Sequence, residues 1–352
     1  MTLMNRKNQK NKKEFPSHLR FDITNEDWVV IAPGRSKRPR SFHSSHRKIV
    51  KSDKKKCPFC HLTIKDNIIS VFSHNKRIDL KGLKKLPRDW TTLCLPNKYP
   101  AFFPYDKLER KKIGNLYEIM NSVGSSEVVV TRSHTKPWAK LKISHIKEVL
   151  DIFQLRYKDL MSHPLINYIS IFQNHGLEAG ASLSHPHSQI VAIPLVDADL
   201  KRALKNSERY FKKRGKFLYD EMNRFEQVHR ERLVFENKGF LAFCPFASKS
   251  AFEVIISPKK SLPYFERITE KEKWQLAEAF KVVLNKLYKG LNDPPYNFYL
   301  RTAPCDGKNY DYYHWHWTIV PRTSIWAGFE LGAKMEISTV KPEDAAAYLR
   351  KQ

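Results

Sequence analysis

One repeat, met three times at nearly one spacing, constrains this chain more than any other feature. The run EVVVTR at 127–132 is echoed by EVIISP at 253–258, HPLINY at 163–168 by DPPYNF at 293–298, and His185-Pro-His187 by His314-Trp-His316. The offsets are 126, 130 and 129. Each HxH pair leads into an apolar run closed by proline, Pro194 or Pro321. Self-similarity of this kind makes the fold a pair of related units. We expect a first half at 17–200, a basic linker at 201–235 and a second half at 236–352. A solvated, disordered basic tail at 1–16 precedes them.

Each half carries the same grammar. A β-branched strand (128–131 or 254–257) precedes an amphipathic helix, then a second strand and the HxH strand. In the first helix Ile143, Ile146, Val149, Leu150 and Phe153 keep a 3.6-residue period. In the second, Thr269 and Glu272 form a capping box ahead of Trp274, Leu276, Ala277, Phe280 and Leu284. Short strands with an interposed helix predict an α+β fold, antiparallel sheets with helices packed across them.

Within that frame the stretch SLSHPHSQIVAIP at 182–194 is unusual, because a strand needs no paired histidines at its entrance. The pair is either packed into the core or chemical. A second constellation lies upstream. Cys57-Pro-Phe-Cys60 has the spacing of two thiolates on one tetrahedral zinc. Thiol redox motifs share that spacing, but they follow an apolar strand, and here KSDKKK precedes the motif. The context favours zinc. Further ligands are needed: His61 would crowd the same side, whereas His134 follows the repeated strand and has Lys260 as its repeat counterpart. Features held by one copy only mark where the halves have specialised.

Five cysteines with a single close pair do not make a disulfide framework, which predicts a reducing cytoplasm. No apolar run reaches a membrane helix, and the first residues lack a signal-peptide core. The net charge of +27 favours polyanionic partners. Aromatic residues are not interleaved with the basic runs as a nucleic-acid stacking platform requires.

CPFC, the histidine after the repeated strand and NHGLEAGASLSHPHSQ at 174–189 together resemble the galactose-1-phosphate uridylyltransferase family. That family belongs to the histidine-triad superfamily, as does the related plant ADP-glucose phosphorylase. The resemblance runs from RFD at 20–22 to PEDAAAYLR at 342–350, and it implies two fused histidine-triad-like halves. It implies one zinc per chain on Cys57, Cys60, His134 and His185, and His187 as a nucleophile that carries a nucleoside monophosphate. It makes Gln189, Asn174 and Ser182 contacts of the phosphoryl group, Arg35 and Arg38 binders of substrate phosphate, and Asn97 a nucleoside contact. Lys98 departs from the acidic residue some members carry, so the base stays open. Phe329 and Glu330 match residues that contact the hexose from a partner subunit, which implies a homodimer. Some members bind iron in the second half. Here Arg301 and Ala203 stand near the missing ligands of His314 and His316, so no iron is expected.

The implied reaction is ping-pong nucleotidyl transfer between a nucleotide sugar and a hexose 1-phosphate. One rival is an ADP-glucose phosphorylase-type reaction with inorganic phosphate as acceptor. Another, of a different class, is a zinc-containing nucleic-acid-binding protein. No other histidine is expected to share the surroundings of His187.

Overall fold

The computed structural model describes residues 16–37 and 53–352. Arg38 and the basic tail up to residue 15 lie outside them. In chain order the elements begin with β1 (His18–Asp22), β2 (Asp27–Ile31), β3 (Ser70–Ser73), β4 (Lys76–Ile78) and β5 (Thr92–Pro96). The hairpin β6 (Arg110–Ile113) and β7 (Tyr117–Met120) follows, then β8 (Ser125–Thr131), α1 (Ile143–Met161), β9 (Tyr168–His175) and β10 (His187–Ile193). Two helices, α2 (Ala198–Arg214) and α3 (Leu218–His229), join the halves. Next come β11 (Leu233–Glu236), β12 (Phe240–Phe243), β13 (Val254–Pro258), α4 (Glu270–Gly290), β14 (Tyr296–Arg301) and β15 (His316–Pro321). The chain ends with α5 (Gly328–Ala333), β16 (Ile337–Ser338) and α6 (Pro342–Arg350).

The α+β expectation holds, with one refinement: the two half-sheets are continuous. Eleven strands run in the order β11-β12-β13-β15-β14-β9-β10-β8-β5-β3-β4 among the described residues. Adjacent strands are antiparallel throughout. The seam is the pair β9–β14, and outward from it the order of each half repeats: β10 and β8 on one side, β15 and β13 on the other. A smaller sheet, β1-β2-β16, stands beside this one.

Strand register corrects the alignment of the repeat. Ser188 pairs with Val129, and its counterpart Trp317 pairs with Ile256. Val129 therefore corresponds to Ile256, one residue away from the echo that aligned Glu127 with Glu253. Ser188 also pairs with Gln173, and Trp317 with Leu300. Asn174 is thus the counterpart of Arg301, three residues off the echo of HPLINY with DPPYNF. A one-residue slip sends every side chain to the other face of a sheet, and the two glutamates differ accordingly. Glu127 faces α1, where Arg156 donates from Nε and one terminal nitrogen to its carboxylate, both at 2.7 Å. Glu253 instead accepts from the backbone of Lys249 and Ser250.

Helices α1 and α4 lie side by side across one face and bury Val149, Leu150, Phe153, Leu276, Phe280 and Leu284 against Ile171, Ile190, Phe298 and Trp317. Thr269 and Glu272 close the expected capping box at the start of α4. Trp274, expected in the core, is 43% exposed and lies near the Lys147 ammonium instead. The opposite face of the sheet, beyond the helices, carries His187 and Gln189 in the first half.

Candidate active site and metal centre

Cys57 and Cys60 sit on a 3-10 turn, Pro58–Cys60, in which the Cys60 N–H donates to the Cys57 carbonyl. That turn aims both sulfurs at the end of β8 and the entrance of β10. Cys57 Sγ lies 3.5 Å from His185 Nδ1, and Cys60 Sγ lies 3.2 Å from His134 Nδ1 and 3.6 Å from His185 Nδ1. All four ligand atoms fall within 4.8 Å of one another. Two cysteine sulfurs and two imidazole nitrogens gathered this closely make a donor set that suits tetrahedral zinc, whose bonds to such atoms run about 2.0–2.3 Å. His185 supplies an independent check. Its Nε2 donates to the Thr131 carbonyl at 2.7 Å, so Nδ1 carries the lone pair and points at the sulfurs. Burial, then the hydrogen bond and charge of Cys57, pushes the Cys60 thiol up to about 11. Both sulfurs would bind a divalent cation as thiolates, the cation's charge offsetting that penalty. The four residues fit a metal ion. His61, the rejected candidate, is exposed and contacts the Lys54 carbonyl.

His187 opens β10 two residues further on and is engaged at the other nitrogen. Its Nδ1 donates to the His185 carbonyl at 2.9 Å, which leaves Nε2 as the lone-pair atom. Burial lowers its pKa despite the favourable carbonyl, so the ring is neutral near pH 7. Phe59, from the CPFC turn, packs its ring at 5.2 Å from His187 and 5.6 Å from His185. One aromatic residue between the cysteines therefore ties the metal centre to the histidine beside it. Sequence reasoning passed over Phe59, whose only signal was its place inside the motif.

Gln189 lies two residues along the strand on the same sheet face as His187. Asn174, one step beyond the Ser188–Gln173 pair on β9, shares that face. The turn after β9 folds back at Gly176 and Gly180, both with positive φ, and brings Ser182 to the surface beside it. A Cβ on Gly180 would stand 3.8 Å from Asn174 Nδ2, so the turn and this amide adjoin.

The other expected residues are dispersed. Asn97 follows β5, and its Oδ1 accepts from the Tyr99 N–H. Register sets it well along the sheet from His187, since Pro96 pairs with Glu127 whereas His187 pairs with Val130. Arg35 lies in the 3-10 turn Pro33–Lys37 behind β2, with no hydrogen bond to His187 or Gln189. Phe329 and Glu330 are on α5, where the Glu330 carboxylate accepts from the Ala327 N–H of its own turn.

The second half holds a surprise. His316 repeats the geometry of His187, with Nδ1 toward the His314 carbonyl at 3.3 Å, and it borders a cavity of about 550 Å³ roofed by α3. The backbone tether of the motif is thus present in both copies of the repeat. What differs is the company. Thr318 and Arg301 stand where the first half has Gln189 and Asn174. His314 has both ring nitrogens occupied, by the Pro258 carbonyl and by the Leu262 N–H.

The sequence profile described as galactose-1-phosphate uridyl transferase, N-terminal domain, matches residues 6–196. A second, described as a domain of unknown function (DUF4921), matches residues 124–351. ADP-glucose phosphorylase of Arabidopsis thaliana is 29% identical over 339 residues, 94% of this chain and 92% of its own. Galactose-1-phosphate uridylyltransferase of Thermotoga maritima is 28% identical over 341 residues, 94% of this chain and 97% of its own. The crystal structure of the Arabidopsis thaliana ADP-glucose phosphorylase with bound ADP-glucose is similar at a TM-score of 0.78 and 28% identity, covering 96% of this chain and 99% of that one. A solved uridylyltransferase reaches 0.71 at 28% identity, covering 95% and 97%.

Proposed function

Given that the chain belongs to the galactose-1-phosphate uridylyltransferase family, we propose that it is a nucleotidyltransferase working through a covalent nucleotidyl-His187 intermediate. The observation that carries this is the tethered imidazole. Its Nδ1–H is held by the His185 carbonyl, which leaves a neutral Nε2 as nucleophile. In the first step the Nε2 lone pair attacks the α-phosphorus of a nucleotide sugar. The bond to the bridging oxygen breaks, and sugar 1-phosphate leaves with that electron pair. In the second step an acceptor phosphate oxygen attacks the same phosphorus, the phosphorus–nitrogen bond breaks, and neutral imidazole returns. Gln189, Asn174 and Ser182 donate to the phosphoryl oxygens, where charge accumulates in both steps. Arg35 and Arg38 hold substrate phosphate, Asn97 the nucleoside, and Phe329 and Glu330 of a second subunit the hexose.

Cys57, Cys60, His134 and His185 would hold one zinc ion, structural in role, through which these residues would pin the CPFC turn and His185 next to the nucleophile.

Two acceptors fit this scheme, a hexose 1-phosphate or inorganic phosphate, and the relatives divide between them. The phosphorylase structure with bound ADP-glucose supports an adenine donor; the uridylyltransferases support a uridine one. One experiment covers both steps. Protein is incubated with ADP-glucose or UDP-glucose labelled at the α-phosphorus, and an acid-labile, base-stable adduct is sought on His187 by mass spectrometry. The isolated adduct is then offered phosphate or galactose 1-phosphate, and the acceptor that discharges it identifies the reaction. Absence of an adduct from both donors sinks the proposal.

A further inference from the structure

Asn174 belongs to the first half, yet its orientation is set by the second. On β14, Asn297 pairs with Asn174 across the seam of the two half-sheets. Its Nδ2 lies 2.8 Å from Asn174 Oδ1 and 2.8 Å from the Ala179 carbonyl, while its Oδ1 lies 2.6 Å from Arg322 Nε. Donor and acceptor chemistry leaves a single assignment for these atoms. Arginine only donates, so the atom facing it is an oxygen. A backbone carbonyl only accepts, so the atom facing Ala179 is the amide nitrogen. That same nitrogen faces Asn174, which must answer with its oxygen. The Asn174 Nδ2 is thereby turned away from the seam and toward the Gly180 turn. Among the described residues that nitrogen makes no hydrogen bond.

Arg322 is itself held. Its N–H donates to the Pro295 carbonyl at 2.7 Å, and its guanidinium lies 5.5 Å from the Trp326 ring centroid. Asn174, Asn297, Arg322 and Trp326 together line a cavity of about 300 Å³ between the halves.

We propose that Asn297 is a positioning residue, fixed by Arg322 and the Ala179 carbonyl, that presents Asn174 Nδ2 as a donor to the transferring phosphoryl group. This rests on the nucleotidyl-transfer reading above. An asparagine free to flip has a second state in which its carbonyl oxygen, which repels an anion, occupies that place. The relay removes that state before substrate arrives, and it explains what the second half contributes to chemistry located in the first.

The test is a double-mutant cycle with a structural readout beside it. Asn297→Asp keeps the shape but supplies only acceptors, so Asn174 must rotate and give its nitrogen to the new carboxylate. Adduct formation is expected to slow by about 100- to 1000-fold, the scale of a lost preorganised donor. In an Asn174→Ala background the same substitution is expected to change the rate less than about threefold. Equal losses in both backgrounds would overturn the proposal, since they would mark Asn297 as merely structural. The second readout is side-chain amide exchange in protein labelled with ¹⁵N-asparagine, which requires no turnover. Asn297 protons are expected to exchange slowly and Asn174 protons quickly, with Asn174 becoming slow in Asn297→Asp. Slow exchange of Asn174 in the native protein overturns the proposal even if no donor forms an adduct, and that latter outcome alone rejects the reaction.

Discussion

His185 and His187 are two residues apart, yet each is committed through a different nitrogen. His185 gives Nδ1 to the metal set and Nε2 to the Thr131 carbonyl; His187 gives Nδ1 to the His185 carbonyl and keeps Nε2. Substitutions at the two should therefore separate. His187→Gly is expected to retain metal and fold while losing turnover by about 10⁴-fold or more. His185→Ala is expected to lose the metal and lower the thermal midpoint by about 10 °C, because ligand loss is coupled to folding. Elemental analysis beside thermal denaturation checks the contrast; similar damage from both would mean that the pair is only structural. The spacing of Cys57 and Cys60 was legible in sequence and His134 was a candidate from its place after the repeated strand, whereas His185 as the fourth ligand came from the family resemblance; the structure brings the four together. Asn297 and Arg322 were not legible. An asparagine in a strand and one arginine among many carry no signal until the seam between the halves is known, and the echo of DPPYNF set that seam three residues out.

At the level of elements, the periodicity of α1 and α4 and the capping box at Thr269 fixed both helices, since apolar spacing is a local property. The small sheet was invisible, because β1 and β16 come from opposite ends of the chain. What fastens that region is also nonlocal. The Glu343 carboxylate on α6 accepts from Arg20 on β1 at 2.9 and 3.0 Å and from Arg232 before β11 at 2.8 Å. Burial alone would raise its pKa; the two guanidiniums outweigh burial and hold it at about 2. Its folded value lies below the unfolded one, so its contribution is complete above about pH 4.5 and fades as pH falls toward 2. Glu343→Gln is expected to cost about 2–3 kcal/mol at neutral pH. It should also flatten the fall of stability between about pH 4.5 and 2. Urea unfolding of both proteins across that range measures it. Parallel curves would show that Glu343 is not the group responsible.

Taken whole, the molecule is a sheet in which one strand order occurs twice about the β9–β14 seam, with an HxH pair at the strand entrance in each half. We propose that a second copy completes the site. Ile325 is 92% exposed and Leu331 63%, with Trp326 and Phe329 also open on the same short segment. Apolar side chains grouped in this way mark an interaction surface. Phe329 and Glu330 belong to that segment, and among the described residues the Glu330 carboxylate accepts from the Ala327 N–H of its own turn. In a twofold dimer each chain can lend this segment to the other's His187 site. Analytical ultracentrifugation is expected to give a dimer at micromolar concentration, and Ile325→Asp with Leu331→Asp a monomer of reduced activity. Complementation is the sharper test. His187→Gly and Glu330→Ala should each be nearly inactive alone. In a mixed dimer one site pairs an intact His187 with an intact Glu330, while the other carries both lesions. Random exchange of equal amounts makes half the dimers mixed, so about a quarter of native activity should return. If Glu330 serves the site of its own chain, no mixture contains an intact site, and mixing restores nothing.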